Sequence, residues 1–337
     1  MEAVTDVVFR HVVRKAGAPD LFFTEFANAT GWVHAGDKAI RGRLVKTDDE
    51  HPIVAQIWGG EPGDMETFAR HCAELGYDGI DINMGCPAKS AIKSGGSALI
   101  RKPDVAIAAI QAAKTAGLPV SVKTRLGYTY VDEWREWIAT LLQQDIVALT
   151  IHLRTKREMS KVPAHHELIP EIKKLRDEIA PKTLLIINGD IRDREHGLEI
   201  VQQCGVDGIM IGRGIFQNPF AFAKQDSEPR VSSAIYLQPE SDLTETVSDP
   251  ERSHGAEDDK ERALPVSNER KKQLIELLRY HLDLFDEWQP TLERPFETLK
   301  RFFKIYIRDF DGASDLRAAL MLTHSTEEVR EIINKLS

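Results

Sequence analysis

The sequence predicts an α/β fold, namely a TIM-type (β/α)8 barrel that lacks its first strand and is followed by a small C-terminal α-helical domain. Three observations lead to this prediction. Short β-branched runs alternate with amphipathic helical patterns from residue 19 to 214, which is typical of a parallel sheet covered by helices. Polar residues stand at or just beyond the carboxyl ends of six of these runs and would share the rim at which barrels carry active sites. Near the C-terminus the apolar residues follow helical spacing.

Seven strands are predicted from short apolar runs that end in polar or glycine-rich turns. They cover residues 21–26, 53–58, 79–83, 120–124, 147–152, 184–188 and 208–212. Helices are predicted between them over residues 63–75, 103–115, 131–143 and 168–179. Pro62, Pro103 and Pro170 stand at or near helix starts, where the missing N–H of proline leaves no hydrogen bond unmade.

The same alternation would also suit a doubly wound open sheet. That fold concentrates its binding signal in one GxGxxG turn that opens a helix, and this sequence has no such turn. Residues capable of chemistry instead follow many different strands: Gln56, Asn83, Cys86, Lys123, His152, Asn188, Asp190 and Arg213. This distribution favours the barrel. Because one strand is missing, we expect it to be the first and to lie upstream of Met1.

Composition excludes several classes of protein. The chain has 337 residues, a net charge of −9 and 42% hydrophobic residues, which excludes disorder throughout. No apolar run approaches the ~18 residues of a membrane span, and no signal peptide opens the chain. Three cysteines, Cys72, Cys86 and Cys204, provide neither a disulfide framework nor a CxxC metal site. We therefore expect a soluble cytoplasmic protein without a metal.

An acidic stretch marks the clearest domain boundary. Between Asp226 and Arg262, eleven acids stand against four Lys or Arg residues, so the rest of the chain is close to neutral. We interpret residues 1–224 as the barrel, 225–268 as a flexible acidic insertion or linker, and 269–337 as the helical domain. Four helices are predicted in that domain, over residues 269–285, 296–310, 314–322 and 326–336.

Cys86 is the most prominent candidate for chemistry. It follows the strand that ends at Asn83, in a Gly-Cys-Pro turn that stiffens an exposed loop at the active rim. A free thiol with a pKa near ~8.5 is mostly protonated at neutral pH and can donate a proton. The nearby Lys89 and Lys93 could lower that pKa and make Cys86 a nucleophile instead. We expect Cys72 and Cys204, within helical patterns, to be small buried apolar residues.

Glycine-rich turns after the last strands indicate an anionic cofactor. Asn188-Gly-Asp190 and Gly212-Arg213 stand where barrels bind phosphate, and an arginine adds a charge to the backbone amides. The alternative is that these glycines only make tight turns. Gln56, Lys123 and His152 would share the same pocket, in which a buried lysine needs an anionic partner such as a flavin.

Basic residues cluster in the loops of the rim and in the helical domain. Arg154, Lys156, Arg157 and Lys161 follow one strand, and Lys89, Lys93, Arg101 and Lys102 follow another. Lys300, Arg301, Lys304 and Arg308 form a stripe at helical spacing. Such a stripe is usually only a solvated face, but beside this rim it is consistent with a track for a phosphate backbone.

Together these motifs resemble the tRNA-dihydrouridine synthases, flavin enzymes that reduce uridines in tRNA. The resemblance runs through the whole chain. It begins with residues 1–10 and continues through Asn83-Met-Gly-Cys-Pro87 with Lys89 and Gly95-Gly-Ser97, then Val122-Lys-Thr-Arg125, Ile151-His-Leu-Arg-Thr155, Asn188-Gly-Asp190 and Ile211-Gly-Arg-Gly214. The Gly-Cys-Pro turn is the specific element, since glycine-arginine endings occur in many flavin barrels.

The resemblance implies a barrel that binds FMN, a helical domain that binds tRNA, and NADPH as the reductant. It implies hydride transfer from reduced flavin to uracil C6, while Cys86 protonates C5 as the general acid. The implied FMN-binding residues are Met1, Glu2, Gln56, Lys123, His152, Asn188, Gly189, Asp190, Gly212 and Arg213. Those assigned to tRNA and its uridine are Asn83, Lys89, Arg125, Arg154, Lys156, Arg157, Lys300 and Lys304. A one-to-one complex with tRNA suggests a monomer.

The sequence departs from the family pattern in three places. It lacks the strand and Ala-Pro before Met1, it has Leu153 where glycine is usual, and it carries the acidic stretch, which we expect to loop away from tRNA. Two alternatives remain at this stage. One is an FMN barrel of the dihydroorotate-dehydrogenase or ene-reductase type that acts on a small molecule; the other is an RNA-binding protein that has lost its cofactor.

Overall fold

The structure is a computed structural model that describes residue 1 and residues 4–224 and 267–335. Glu2 and nearly all of the predicted insertion lie outside the described residues. Only the last two positions of the insertion, Ser267 and Asn268, are described, and they cap and begin a helix. The division into residues 1–224, 225–268 and 269–337 stays a prediction.

Eight parallel strands form one curled sheet. They are β1 (Phe22–Phe23), β2 (Ala27–Asn28), β3 (Ile53–Trp58), β4 (Gly79–Asn83), β5 (Val120–Arg125), β6 (Ala148–His152), β7 (Leu184–Asn188) and β8 (Gly208–Met210). Their order is β1-β3-β4-β5-β6-β7-β8, and β2 also pairs with β3. The single strand predicted over residues 21–26 is therefore two short strands at one position of the sheet. Within the described ranges β1 and β8 are the two edges, so the predicted barrel with one strand missing is confirmed.

Fourteen α-helices lie in the described residues. They are α1 (Val7–Ala16), α2 (Ala29–Ala35), α3 (Asp37–Ile40), α4 (Pro62–Glu74), α5 (Pro103–Lys114), α6 (Trp134–Leu142), α7 (Ile169–Ile179), α8 (Arg194–Cys204), α9 (Gly214–Gln217), α10 (Asn268–Leu292), α11 (Glu297–Lys300), α12 (Phe303–Tyr306), α13 (Ala313–Met321) and α14 (Thr326–Asn334). None of them is both long enough and apolar enough to cross a membrane.

The barrel core lies between the sheet and an outer layer of helices. Successive helices α4 to α8 pack against one another, as right-handed crossovers between parallel strands require. Ile57, Ile82, Leu149 and Ile187 come from four different strands and are fully buried in this core. Leu153 belongs to the same core and is not among the residues that line the large cavity described below. Its replacement of the usual glycine therefore fills the core.

A second apolar core joins the two ends of the chain. The C-terminal helices bury their apolar faces together with α1, which packs on α10. No helix was predicted over residues 7–16, where β-branched residues such as Val7 and Val8 have low helix propensity. Asp6 caps this helix by accepting a hydrogen bond from the Phe9 N–H at 2.8 Å. Packing on α10 and this cap stabilise a helix that propensity alone would not predict.

The helical domain contacts segments that follow both edge strands of the sheet. Arg294, just beyond α10, forms an ion pair with Asp6 at 2.9 Å and another with Glu25, between β1 and β2. Arg308 donates hydrogen bonds to the carbonyl oxygens of Phe216 and Gln217 in α9, after β8. The helical domain thus spans the region between the two edges.

Asp6 titrates in an unusual range because it is buried at this interface. Burial raises its pKa to about 6, although Arg294 opposes the shift. The pKa of Asp6 is higher in the folded protein than in the unfolded chain. Its contribution to the free energy of unfolding is therefore fully present below about pH 4 and is lost as the pH rises through 6. We expect Asp6→Asn, which keeps the helix cap, to increase the free energy of unfolding at pH 8 by on the order of 2 kcal/mol and to leave it unchanged at pH 4. Denaturant titrations at both pH values measure this, and a loss of stability at pH 8 would contradict it.

Candidate active site

A cavity of about 1890 Å³ runs through the barrel interior, from residues at the amino ends of the strands past their carboxyl ends to the helical domain. Most of the predicted site residues line it. They are Met1, Gln56, Asn83, Cys86, Lys123, Arg125, His152, Arg154, Asn188, Gly189, Asp190, Gly212, Arg213, Lys300 and Lys304. Lys89, Lys156 and Arg157 do not line it and lie on loops of the rim, and Glu2 is outside the described residues.

Cys86 lies on the loop after β4, where three hydrogen bonds shape the backbone around it. The side-chain oxygen of Asn83 accepts from the N–H groups of Gly85 at 3.1 Å and of Cys86 at 2.9 Å. The Cys86 carbonyl accepts from the Ser97 N–H at 3.0 Å. Gly96 has φ +55°, and a Cβ there would lie 2.9 Å from the Cys86 oxygen, so this close approach requires glycine. The half-buried thiol is thereby held at the cavity wall.

A buried carboxylate orients the amides beside this loop. Asp81 accepts a hydrogen bond from the Gln56 side-chain nitrogen at 2.8 Å and one from the Ser121 hydroxyl at 2.7 Å. The Gln56 oxygen accepts from the Asn83 side-chain nitrogen at 3.1 Å. The Asn83 oxygen already accepts from two backbone N–H groups, so Asn83 has only an N–H left to offer to the cavity, whereas the Gln56 oxygen keeps one lone pair. A ligand atom that meets Asn83 should therefore be a hydrogen-bond acceptor.

Several cations surround the centre of the cavity. Burial, with a contribution from Arg125, lowers the pKa of Lys123 to about 7, while Asp81 opposes the shift. Burial and then the charges of Arg125, Lys123, Arg154 and Arg213 hold the pKa of His152 well below its usual value. His152 is therefore neutral at physiological pH, and the site is poised to accept an anion.

Arg125 connects the cysteine loop to the next loop of the rim. Its guanidinium donates to the Gly85 carbonyl at 2.8 Å, to Thr155 at 3.1 Å and to Met159 at 3.0 Å. Burial lowers its pKa to about 10, and the thiolate form of Cys86 acts in the opposite direction. Arg125 is thus a cation whose charge acts on Cys86. Lys89 and Lys93, which were predicted for that role, are exposed and lie outside the cavity lining.

Arg154 pairs with Asp190 across the ends of β6 and β7. It is 2% exposed and donates to both carboxylate oxygens, at 2.7 and 2.6 Å, and to the Val162 carbonyl. Asp190 also accepts from the Ala164 N–H at 2.8 Å. In this arrangement Arg154, which was assigned to the substrate, fixes the loop after β6 at the wall of the cavity.

The glycine-rich turns after β7 and β8 lie side by side on the same wall. The Asn188 side chain donates to the Met210 carbonyl at 2.9 Å and so connects the two strand ends. Gly189 has φ +117°, and a Cβ there would come within 3.1 Å of the His152 ring. Arg213 donates to the Ser160 hydroxyl at 2.9 Å, which holds its guanidinium beside the Gly212 turn. Barrels bind phosphate at turns in these positions, so the two turns are the candidate phosphate site.

The basic stripe of the helical domain divides in two. Lys300 and Lys304 line the cavity, and the Lys304 ammonium lies 5.7 Å from the centre of the Phe216 ring. Arg308 instead donates hydrogen bonds to backbone carbonyls of α9. The helix predicted over residues 296–310 is divided into the two short helices α11 and α12.

Asp81 is a residue of this site that sequence reasoning did not assign. Its signal is the alternation Ile80-Asp81-Ile82-Asn83 in β4, which places Asp81 and Asn83 on the same face of the strand. Cys72, by contrast, is fully buried as predicted, and Cys204 is half-buried against the barrel core. Among the described residues, no group of three or more His, Cys, Asp or Glu side chains could hold a metal ion.

Comparisons with known proteins identify relatives along the whole chain. Residues 1–301 match the family model described as dihydrouridine synthase (Dus). The chain is 54% identical over 336 residues to the probable tRNA-dihydrouridine synthase 2 of Bacillus subtilis, covering 99% of this chain and 91% of that protein. It is 49% identical over 337 residues to a probable tRNA-dihydrouridine synthase of Staphylococcus aureus, covering 99% and 90%.

Among solved structures, a variant of NCR from Zymomonas mobilis is similar with a TM-score of 0.44 and 18% identity. The match covers 64% of this chain and 78% of that one.

Proposed function

We propose that this chain, which belongs to the dihydrouridine synthase family, reduces specific uridines of tRNA to 5,6-dihydrouridine with FMN as cofactor and NADPH as reductant. One observation carries the proposal, namely the position of Cys86. Asn83 and Arg125 hold its loop by hydrogen bonds, so that the cysteine lies at the wall of a large cavity lined by cations. We further propose that the protein acts in the cytoplasm and as a monomer, which a tRNA substrate bound one-to-one supports.

The chemistry of the lining residues fits FMN. Lys123 and Arg213 lie around a shared space together with the neutral His152. The positive charges there repel one another, and an anionic ligand would relieve that repulsion. The residues that would hold the cofactor are Met1, Gln56, Lys123, His152, Asn188, Gly189, Asp190, Gly212 and Arg213, together with Glu2. FMN supplies hydride transfer when it is bound.

The residues of the chain then position the uridine and supply the proton. A uracil ring presents carbonyl oxygens, and Asn83 presents an N–H group, so their hydrogen-bonding capacities match. Cys86 donates its thiol proton to C5 of the ring. The base must leave the stacked tRNA to enter the cavity, and Lys300 and Lys304 at the mouth would bind the nearby phosphates. Arg125 and Arg154 hold the loops in place, a positioning role beside their assigned contact with substrate.

Mass spectrometry of nuclease-digested tRNA tests the proposal. Unmodified tRNA incubated with the protein, FMN and NADPH should gain about two mass units on a specific uridine, since the reduction adds two hydrogen atoms. No gain with unmodified tRNA, together with FMN-dependent reduction of small unsaturated carbonyl compounds by NADPH, would reject the proposal in favour of a small-molecule oxidoreductase.

A further inference from the structure

Two tyrosines, one exposed and one flanked by cations, lie in the loop after β5, and the cations come from the loops after β4 and β6. Tyr130 is 63% exposed, which is unusual for so large a ring. Next to it, the ring of Tyr128 lies 3.9 Å from the Arg101 guanidinium and 5.1 Å from the Lys156 ammonium. Together with the exposed Arg157, these side chains form what we name the rim surface. It is separate from the residues that line the cavity.

The backbone beneath the rim surface is rigidly held. The Glu133 carboxylate accepts hydrogen bonds from the N–H groups of Tyr128, Thr129 and Tyr130, at 2.6, 3.2 and 3.0 Å. Arg101 donates to the Thr129 hydroxyl at 2.9 Å. The charge of Glu133 is therefore directed at the backbone, while the basic groups remain at the surface. A preorganised surface loses little conformational entropy when a partner binds.

The rim surface is connected to the cysteine loop. The N–H groups of Lys156 and Arg157 donate to the carbonyls of Gly127 and Tyr128, at 2.8 and 2.9 Å, which joins the loops after β5 and β6. Arg101 ends the short 3-10 helix that includes Ser97, whose N–H donates to Cys86. The helical domain contacts the segments after the two edge strands, whereas the rim surface follows the three central strands. A ligand over the cavity can therefore touch both.

We propose that the rim surface binds a single-stranded segment of the tRNA substrate, with a base stacked on Tyr130 and phosphates contacted by Arg101, Lys156 and Arg157. The inference rests on the proposed function. Aromatic rings beside cations are the usual platform for unpaired nucleotides, because every base has a face to stack and a phosphate to neutralise. Extruding one uridine unstacks its neighbours, and the rim surface would receive one of them.

Binding of an unmodified tRNA transcript to the FMN-loaded full chain tests this, with fluorescence anisotropy measured between 50 and 200 mM KCl. We expect Tyr130→Ala to raise the Kd about 10-fold, and Tyr130→Phe, which keeps the ring, to stay within about twofold of the unsubstituted protein. Arg101→Gln should raise the Kd and reduce the slope of log Kd against log salt by about 0.7–1. Lys174→Gln, an exposed residue on α7, is the matched control and should change neither quantity.

Three results would overturn the inference. Tyr130→Ala could bind tRNA as tightly as the unsubstituted protein, Tyr130→Phe could lose as much affinity as Tyr130→Ala, or the variants could raise the KM for NADPH without changing the Kd for tRNA. The last result would assign the rim surface to the coenzyme. Failure of the proposed function is separate, because it would appear as absence of dihydrouridine formation by the unsubstituted protein.

Discussion

Replacement of Cys86 by alanine should reduce dihydrouridine formation by about 10²- to 10⁴-fold, the usual contribution of a general acid. The backbone that holds the loop uses main-chain atoms of Cys86 and the side chain of Asn83, so the loop should keep its shape without the thiol. Binding of FMN and tRNA should therefore stay within about twofold, and the defect should fall on kcat. Single-turnover mass spectrometry of tRNA measures the loss.

Cys204→Ala is the control for this prediction. Cys204 is also half-buried, but it ends α8 and packs on the barrel core away from the cavity lining. Its removal should leave the rate unchanged. If Cys86→Ala retains the rate within about twofold, the proton comes from another donor or from water, and the assignment of Cys86 as general acid is wrong.

The strand ends of the site were predictable from sequence because parallel strands bring their carboxyl ends to one rim. Once Gln56, Lys123 and His152 were each assigned to a strand end, their shared cavity followed without knowledge of the exact contacts. The same reasoning could not reveal how Arg154 is used. Its pairing with Asp190 depends on the positive-φ conformation at Gly189 and Asp190, which sets the direction of the carboxylate.

The errors in the helical regions have a common physical cause, namely tertiary packing. The predicted end of the first C-terminal helix was residue 285, but α10 continues to Leu292, whose side chain is buried in the second core. Pro290 lies in its last turns and cannot donate a helical hydrogen bond to the Asp286 carbonyl, so local hydrogen bonding does not account for this extension. Helix α1 was missed because its stabilising partner, α10, lies more than 250 residues away in the chain. Local signals do not contain such information.

Lys123 should make FMN binding depend on pH. In the protein without cofactor its pKa is about 7, because burial and Arg125 disfavour the charged form. An anionic ligand favours the charged form and raises this pKa, so above pH 7 binding must take up a proton. Affinity should therefore weaken as the pH rises from 7 to 9, by up to about tenfold per pH unit until the pKa of the complex is reached. At lower pH the charge on the flavin phosphate itself begins to change, so the range above 7 is the informative one.

Two substitutions separate the charge of Lys123 from its titration. Lys123→Met should weaken FMN binding at pH 7 by about 10- to 100-fold, the range for a hydrogen bond to a charged group, and should also abolish the pH dependence. Lys123→Arg keeps a positive charge throughout, so it should remove the pH dependence while retaining part of the affinity. Calorimetric titrations in buffers of different ionisation enthalpy measure both the Kd and the proton uptake, which should be about half a proton at pH 7. A Lys123→Met variant that still takes up this proton would show that another group titrates, and the low pKa of Lys123 would then have no part in cofactor binding.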